Sequence, residues 1–135
     1  MWQNNMNGGE TGMKRTKGQI ESEISEAIVK FEKEYMGRGP EETKTYIIDD
    51  MVLVRLSGVL TPAEKQLAKT EGDPHGQALI KQVRTKLIEK GRMLLDTIVQ
   101  DITGRKVRSL HTDISTHTGE RVIIFVMDSQ VLPED

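Results

Sequence analysis

Two histidines and a carboxylate stand close together near the C-terminal end of the chain. His111 and Asp113 alternate on a predicted strand and so share one face, and His117 follows in the adjoining loop. Imidazole and carboxylate are metal ligands or general bases, and Ser109 and Ser115 are the hydroxyls they would polarise. The spacing matches no zinc motif, and no Gly-x-Ser-x-Gly turn frames either serine. The trio therefore offers only a weak metal set, and neither catalytic residues nor a cofactor are expected.

Gly37-Arg38-Gly39-Pro40 is a second candidate, because Gly37 and Gly39 let the main chain form a concave nest beside the Arg38 guanidinium, a small-anion site. It lacks the Lys-Ser/Thr of a nucleotide loop and follows a helix, where the dipole end is negative. Helix termination followed by a turn is the favoured reading. The third is Asp113-Ile-Ser-Thr-His-Thr-Gly-Glu-Arg121, where Asp113, Thr116, Thr118, Glu120 and Arg121 present hydroxyls and charges between two apolar strands. Such a tip binds a ligand or partner, or is a solvated turn, which is favoured. The fourth is basic: Lys81, Arg84, Lys86, Lys90, Arg92, Arg105, Lys106 and Arg108. On a helical wheel Lys81, Arg84 and Arg92 lie at one edge of an apolar stripe and Lys86 and Lys90 at the other, as snorkelling cations do, and no base-stacking aromatics are interleaved. No nucleic-acid partner is expected.

The elements that position these residues occur as a pattern used twice, a helix closed by Gly-Arg and followed by a hairpin. Ile24, Ile28, Phe31 and Tyr35 form one helical stripe, and Gly37 and Pro40 stop it. Tyr46 to Leu56 reads as a hairpin turning at Asp49-Asp50. Thr61-Pro62-Ala63-Glu64 opens a short helix with a capping box, broken at Gly72-Asp73-Pro74. A long helix over 77–103 should turn Ile80, Val83, Leu87, Leu94, Ile98 and Ile102 inward, with Gly91 in the same stripe, where close approach of another backbone would compensate its poor propensity. The last hairpin joins Val107–Ser115 to Glu120–Met127 through Gly119, and its second strand is apolar on both faces, as suits a sheet centre or a subunit interface. The order α-β-β-α-α-β-β predicts an α+β domain whose two hairpins form one antiparallel sheet packed against the long helices. Residues 1–17 read as a disordered tail, 18–128 as the single domain and 129–135 as a C-terminal tail.

At 135 residues one core is expected, and with aromatics at 4% it must be built from Ile, Leu, Val and Met around Phe31, Tyr35, Tyr46 and Phe125. The absence of cysteine excludes disulfides, thiolate metal sites and thiol catalysis. No apolar run reaches the roughly 20 residues a bilayer requires, so a cytoplasmic protein is expected.

Gly37-Arg38-Gly39-Pro40, the run Tyr46-Ile-Ile-Asp-Asp-Met-Val-Leu-Val-Arg-Leu-Ser-Gly-Val-Leu-Thr-Pro-Ala-Glu-Lys-Gln-Leu67, and Asp113-Ile-Ser-Thr with Thr118-Gly119-Glu120-Arg121 together resemble the MpsC-like family over about Gly18 to Asp128. That family, formerly a domain of unknown function, is named for a Na+-translocating, membrane-potential-generating system. The resemblance implies a small bacterial accessory or interaction protein acting beside a membrane ion-translocating protein, without catalysis of its own and with no catalytic residues to carry over. A chain that cannot span a bilayer would be peripheral to the inner face of the membrane through that partner. Sheet edges and the two-sided last strand predict a homodimer, and a small-anion or ligand-sensing homodimer is the rival reading.

Overall fold

Helix α1 (Lys17–Tyr35) begins at a capping box, in which Thr16 Oγ1 accepts from the Gln19 N–H at 3.1 Å and Gln19 Oε1 accepts from the Thr16 N–H at 2.7 Å. The computed structural model describes residues 15–69 and 74–132. Most of the predicted tail, the Gly72-Asp73 break and the last three residues lie outside them, but Thr16 and Lys17, expected in the tail, start the helix. Ile20, Ile24 and Ile28 are buried at intervals of one turn, and Gly37, at φ 81°, takes the left-handed conformation that closes the helix.

Strands β1 (Glu42–Ile48) and β2 (Met51–Ser57) form the first hairpin, turning through Asp49 at φ 54°, as its aspartates predict. Helix α2 (Pro62–Ala68) carries the predicted capping box, Thr61 Oγ1 with the Glu64 N–H and Glu64 Oε1 with the Thr61 N–H. Helix α3 (Pro74–Thr103) precedes the second hairpin, β3 (Val107–Ile114) and β4 (Arg121–Met127). The hairpins join into one antiparallel sheet of order β1-β2-β4-β3, so the two-sided strand β4 is central. This is the α+β arrangement expected.

The inward-facing side chains of the sheet, Ile47, Val52, Val54, Leu56, Ile123, Phe125 and Met127, share one core with Ile20, Ile24, Ile28 and Phe31 of α1 and Ile80, Ile88, Leu95 and Val99 of α3. Glu21 Oε2 accepts the Ile47 N–H at 2.9 Å and the Ser25 and Thr45 hydroxyls lie 2.7 Å apart, fastening α1 to β1. Val131 is buried and its N–H donates to the Asp49 carbonyl at 3.1 Å, which carries the packed body past the boundary expected at Asp128.

Helix α3 is rotated from the expected register. Its buried line is Gly76, Ile80, Arg84, Ile88, Gly91, Leu95 and Val99, whereas Val83 and Leu94 are about half exposed. Two apolar stripes lie side by side on this helix and share Ile80 and Gly91, and the one that faces the core contains Arg84, which hydropathy alone discounts. At Gly91 the close neighbour is not a backbone but the Phe31 ring: a Cβ there would stand 2.7 Å from Phe31 Cζ. Phe31 stacks on Tyr35 with centroids 5.0 Å apart.

Candidate functional site

Arg38 and the β3–β4 turn at Gly119 both meet the short link from β2 to α2, at one end of the sheet. Arg38 Nη1 donates to the Leu60 carbonyl at 3.0 Å, and its Nη2 lies 3.8 Å from Glu41. The Val59 N–H donates to the Gly119 carbonyl at 3.1 Å, tying the link to the β3–β4 turn. Arg38 thus holds the α1–β1 turn to the link, with Gly37 ending the helix and Gly39 against Lys33.

Arg84 reaches the same link from beneath. Its Nη2 donates to the Val59 carbonyl at 2.8 Å and to Glu64 Oε1 at 2.6 Å, while its Nε donates to Glu64 Oε2 at 3.1 Å. Glu64 therefore caps α2 and anchors it to α3 with one carboxylate. Burial pushes its acidity down, but hydrogen bonds from Arg84 and Thr61 outweigh that and hold its pKa below the usual carboxylate range. The expectation that Arg84 snorkels at the edge of its helix is overturned, because the side chain is buried and bidentately paired.

Beyond Arg84 lie two more buried ionic groups. Arg121, expected in a polar hairpin tip, points inward from β4 and donates through Nη1 to Thr112 Oγ1 at 2.8 Å. Glu32 is fully buried on α1, and neither of its oxygens, nor Nε and Nη2 of Arg121, has a hydrogen-bond partner. Burial raises the Glu32 pKa, with Arg121 and Arg84 opposing by charge; burial also lowers that of Arg121. Glu32 escaped the sequence reading and Arg84 was expected only as a surface cation, although each interrupts an apolar row at helical spacing, Ile20-Ile24-Ile28-Glu32 and Ile80-Arg84-Ile88. A charge inside such a row is the signal.

The remaining candidates disperse. Asp113 lies 3.2 Å from Lys81, and the Ile114 N–H and then Lys81 hold its pKa low. Glu120 pairs with Arg55 at 2.6 Å on the outer face of the sheet, and His111 Nε2 lies 3.1 Å from Ser109 Oγ. Among the described residues no three His, Asp or Glu side chains gather as a metal set. Thr116, His117 and Thr118 do come together with something unforeseen, the α2 surface carrying Lys65 and Lys69. With Leu60, Ala68, Gln77 and Gly119 they line a cleft of about 360 Å³.

The outer face of the sheet forms a second surface. Cross-strand register lines up Ile48, Met51 and Val126, then Tyr46, Leu53, Ile124 and His111, then Lys44, Arg55, Val122 and Asp113. Ile48 is 46% and Tyr46 38% exposed, and the Arg55–Glu120 and Lys44–Glu42 pairs stand at one end. No helix among the described residues packs on this face, and none is long and apolar enough to cross a membrane.

The sequence model of the Na+-translocating membrane potential-generating system family (MpsC) matches residues 16–129, from the α1 cap to just past β4. The chain belongs to the MpsC family. Its MpsC fold is shared in sequence with two proteins of Bacillus subtilis (strain 168), each bearing the name of an uncharacterised protein. YbcI is 50% identical over 113 residues, covering 84% of this chain and 89% of its own length. YrhF is 29% identical over 110 residues, covering 81% and 88%. No solved structure matches this MpsC chain.

Proposed function

We propose that this protein is a non-catalytic accessory component of the Na+-translocating, membrane-potential-generating system for which its family is named, and that it acts as a homodimer. The observation that carries the proposal is the uncovered outer face of the sheet. It has an apolar centre of Tyr46, Ile48, Met51, Leu53, Val122, Ile124 and Val126, with charges of both signs at one end, the layout of a protein interface with a polar rim. Two such faces pack as two sheets of a sandwich do, about 10 Å apart. The occupant is a second copy, because the face is self-complementary: apolar against apolar, with Arg55, Lys44, Glu42 and Glu120 at one end carrying both signs of charge for exchange across a two-fold. A location at the cytoplasmic face of the membrane, through an ion-translocating partner, belongs to the same proposal.

The test combines mass and function. Light scattering should give twice the chain mass for the wild type and a single chain mass for a Leu53→Glu/Ile124→Glu variant. Cells lacking the gene should show a smaller Na+-dependent membrane potential, restored by the wild type and not by the variant. A monomeric wild type removes the dimer, and a potential indifferent to the deletion removes the accessory role.

A further inference from the structure

We infer that the cleft between α2 and the β3–β4 turn binds a small organic oxyanion, its charged end held by Lys65 and Lys69 and its apolar body resting on Leu60. This is a site separate from the sheet face and does not rest on the homodimer. Lys65 and Lys69 are one turn apart on α2 and so project from the same side. Three described carboxylates at this end of the fold are engaged elsewhere: Glu64 by Arg84, Asp113 by Lys81 and Glu120 by Arg55. Among the described residues neither cleft lysine has an ion-pair partner.

Across the cleft the turn offers neutral donors. Thr116 and His117 line the opposite wall, and the turn is braced from within, where the Thr118 N–H donates to Ser115 Oγ at 3.1 Å and the Gly119 N–H to the Ser115 carbonyl at 2.8 Å. Two ammonium groups facing hydroxyl and imidazole donors, with no carboxylate among the described lining residues, select a negative ligand. The volume, about 360 Å³, is that of a small-molecule pocket rather than of a bare ion, and the Leu60 and Ala68 surface favours a ligand with an apolar portion. The anion site sought at Arg38 therefore moves to the other side of the β2–α2 link, since Arg38 already serves the Leu60 carbonyl.

Titration of 15N-labelled full-length protein with phenyl phosphate, with inorganic phosphate and benzoate alongside, tests the assignment. Saturable amide shifts should centre on residues 65–69 and 116–119, phenyl phosphate should bind more tightly than inorganic phosphate, and added salt should weaken all three. Lys65→Gln/Lys69→Gln, a change of exposed side chains only, should weaken binding by about tenfold or more, and His117→Ala by less. Shifts that are absent, that spread over lysines such as Lys86 and Lys106, or that persist unchanged in the double variant overturn the site. Equal affinity for phenyl phosphate and inorganic phosphate overturns the apolar part of the assignment.

Discussion

Replacing Gly91 by alanine should destabilise the protein although alanine is the better helix former. In the middle of α3 the exchange improves helix propensity by up to about 1 kcal/mol. Against this, the added methyl would stand 2.7 Å from Phe31 Cζ, 2.9 Å from Phe31 Cε1 and 3.3 Å from Tyr35 Cε1. The Phe31 ring cannot swing aside, since it is 3% exposed and stacked on Tyr35 with planes 9° apart. Overpacking a filled core costs about 1–3 kcal/mol, and at the upper half of that range, which a buried ring stacked on Tyr35 warrants, the net loss should be about 1–2 kcal/mol. Gly18→Ala makes the identical chemical change near the start of α1, where nothing lies within 4 Å of the new methyl, and should gain about 0.5 kcal/mol. Urea unfolding of the two variants at one pH should separate their stabilities by about 2 kcal/mol, roughly thirtyfold in the folding equilibrium, with equal slopes. If Gly91→Ala stabilises as Gly18→Ala does, the account of Gly91 as the seat of the Phe31 ring is wrong. Phe31→Leu in the Gly91→Ala background should then recover part of the loss, a coupling that independent sites do not show.

Arg84→Met leaves Glu64 without its bidentate partner and the Val59 carbonyl without a donor, and should cost about 2–4 kcal/mol; adding Glu64→Gln should cost less than the sum of the two single changes, as read by urea melts. Glu32 gives a pH signature. Its folded pKa is raised by burial, so folding takes up a proton, and the associated stability is fully present below the unfolded value and lost as pH rises through the elevated one. The urea midpoint of Glu32→Gln should therefore fall less steeply than that of the wild type as pH rises above about 4.5, the ordinary carboxylate value, and parallel curves would contradict the raised pKa.

Local signals carried far in this chain. The capping box at Thr61, the turn at Asp49 and the end of α1 at Gly37 each depend on a few adjacent residues, and each stands where the sequence puts it. The centrality of β4 was legible too, because Val122 to Met127 has no polar face to offer water. The register of α3 was not: two apolar stripes compete, and the one that faces the core carries Arg84, whose partners Glu64 and the Val59 carbonyl lie far away in the sequence. For the same reason the Glu64–Arg84 pair and the juxtaposition of Lys65 and Lys69 with Thr116 and His117 have no imprint on any short window of sequence. They arise when α2 is laid against α3 and the second hairpin folds back to the β2–α2 link.

Helix α2 has seven residues and none of them is fully buried; its ties to α3 include the Glu64 carboxylate on Arg84, the Ala68 carbonyl receiving Gln77 Nε2 at 3.1 Å, and Leu67 packed against Gly76. A short segment with no fully buried side chain of its own is the part of a fold that detaches at least cost. Glu64 also caps the helix, so letting go of Arg84 frees the first turn to unwind, and detachment and melting become one event. In native-state hydrogen exchange the amides of α2 should open together, ahead of the core strands, and an oxyanion bridging Lys65 and Lys69 to the β3–β4 turn would slow that opening. Occupancy of the cleft would thereby be translated into the order of a single short helix, a latch that a partner protein can read without touching the ligand.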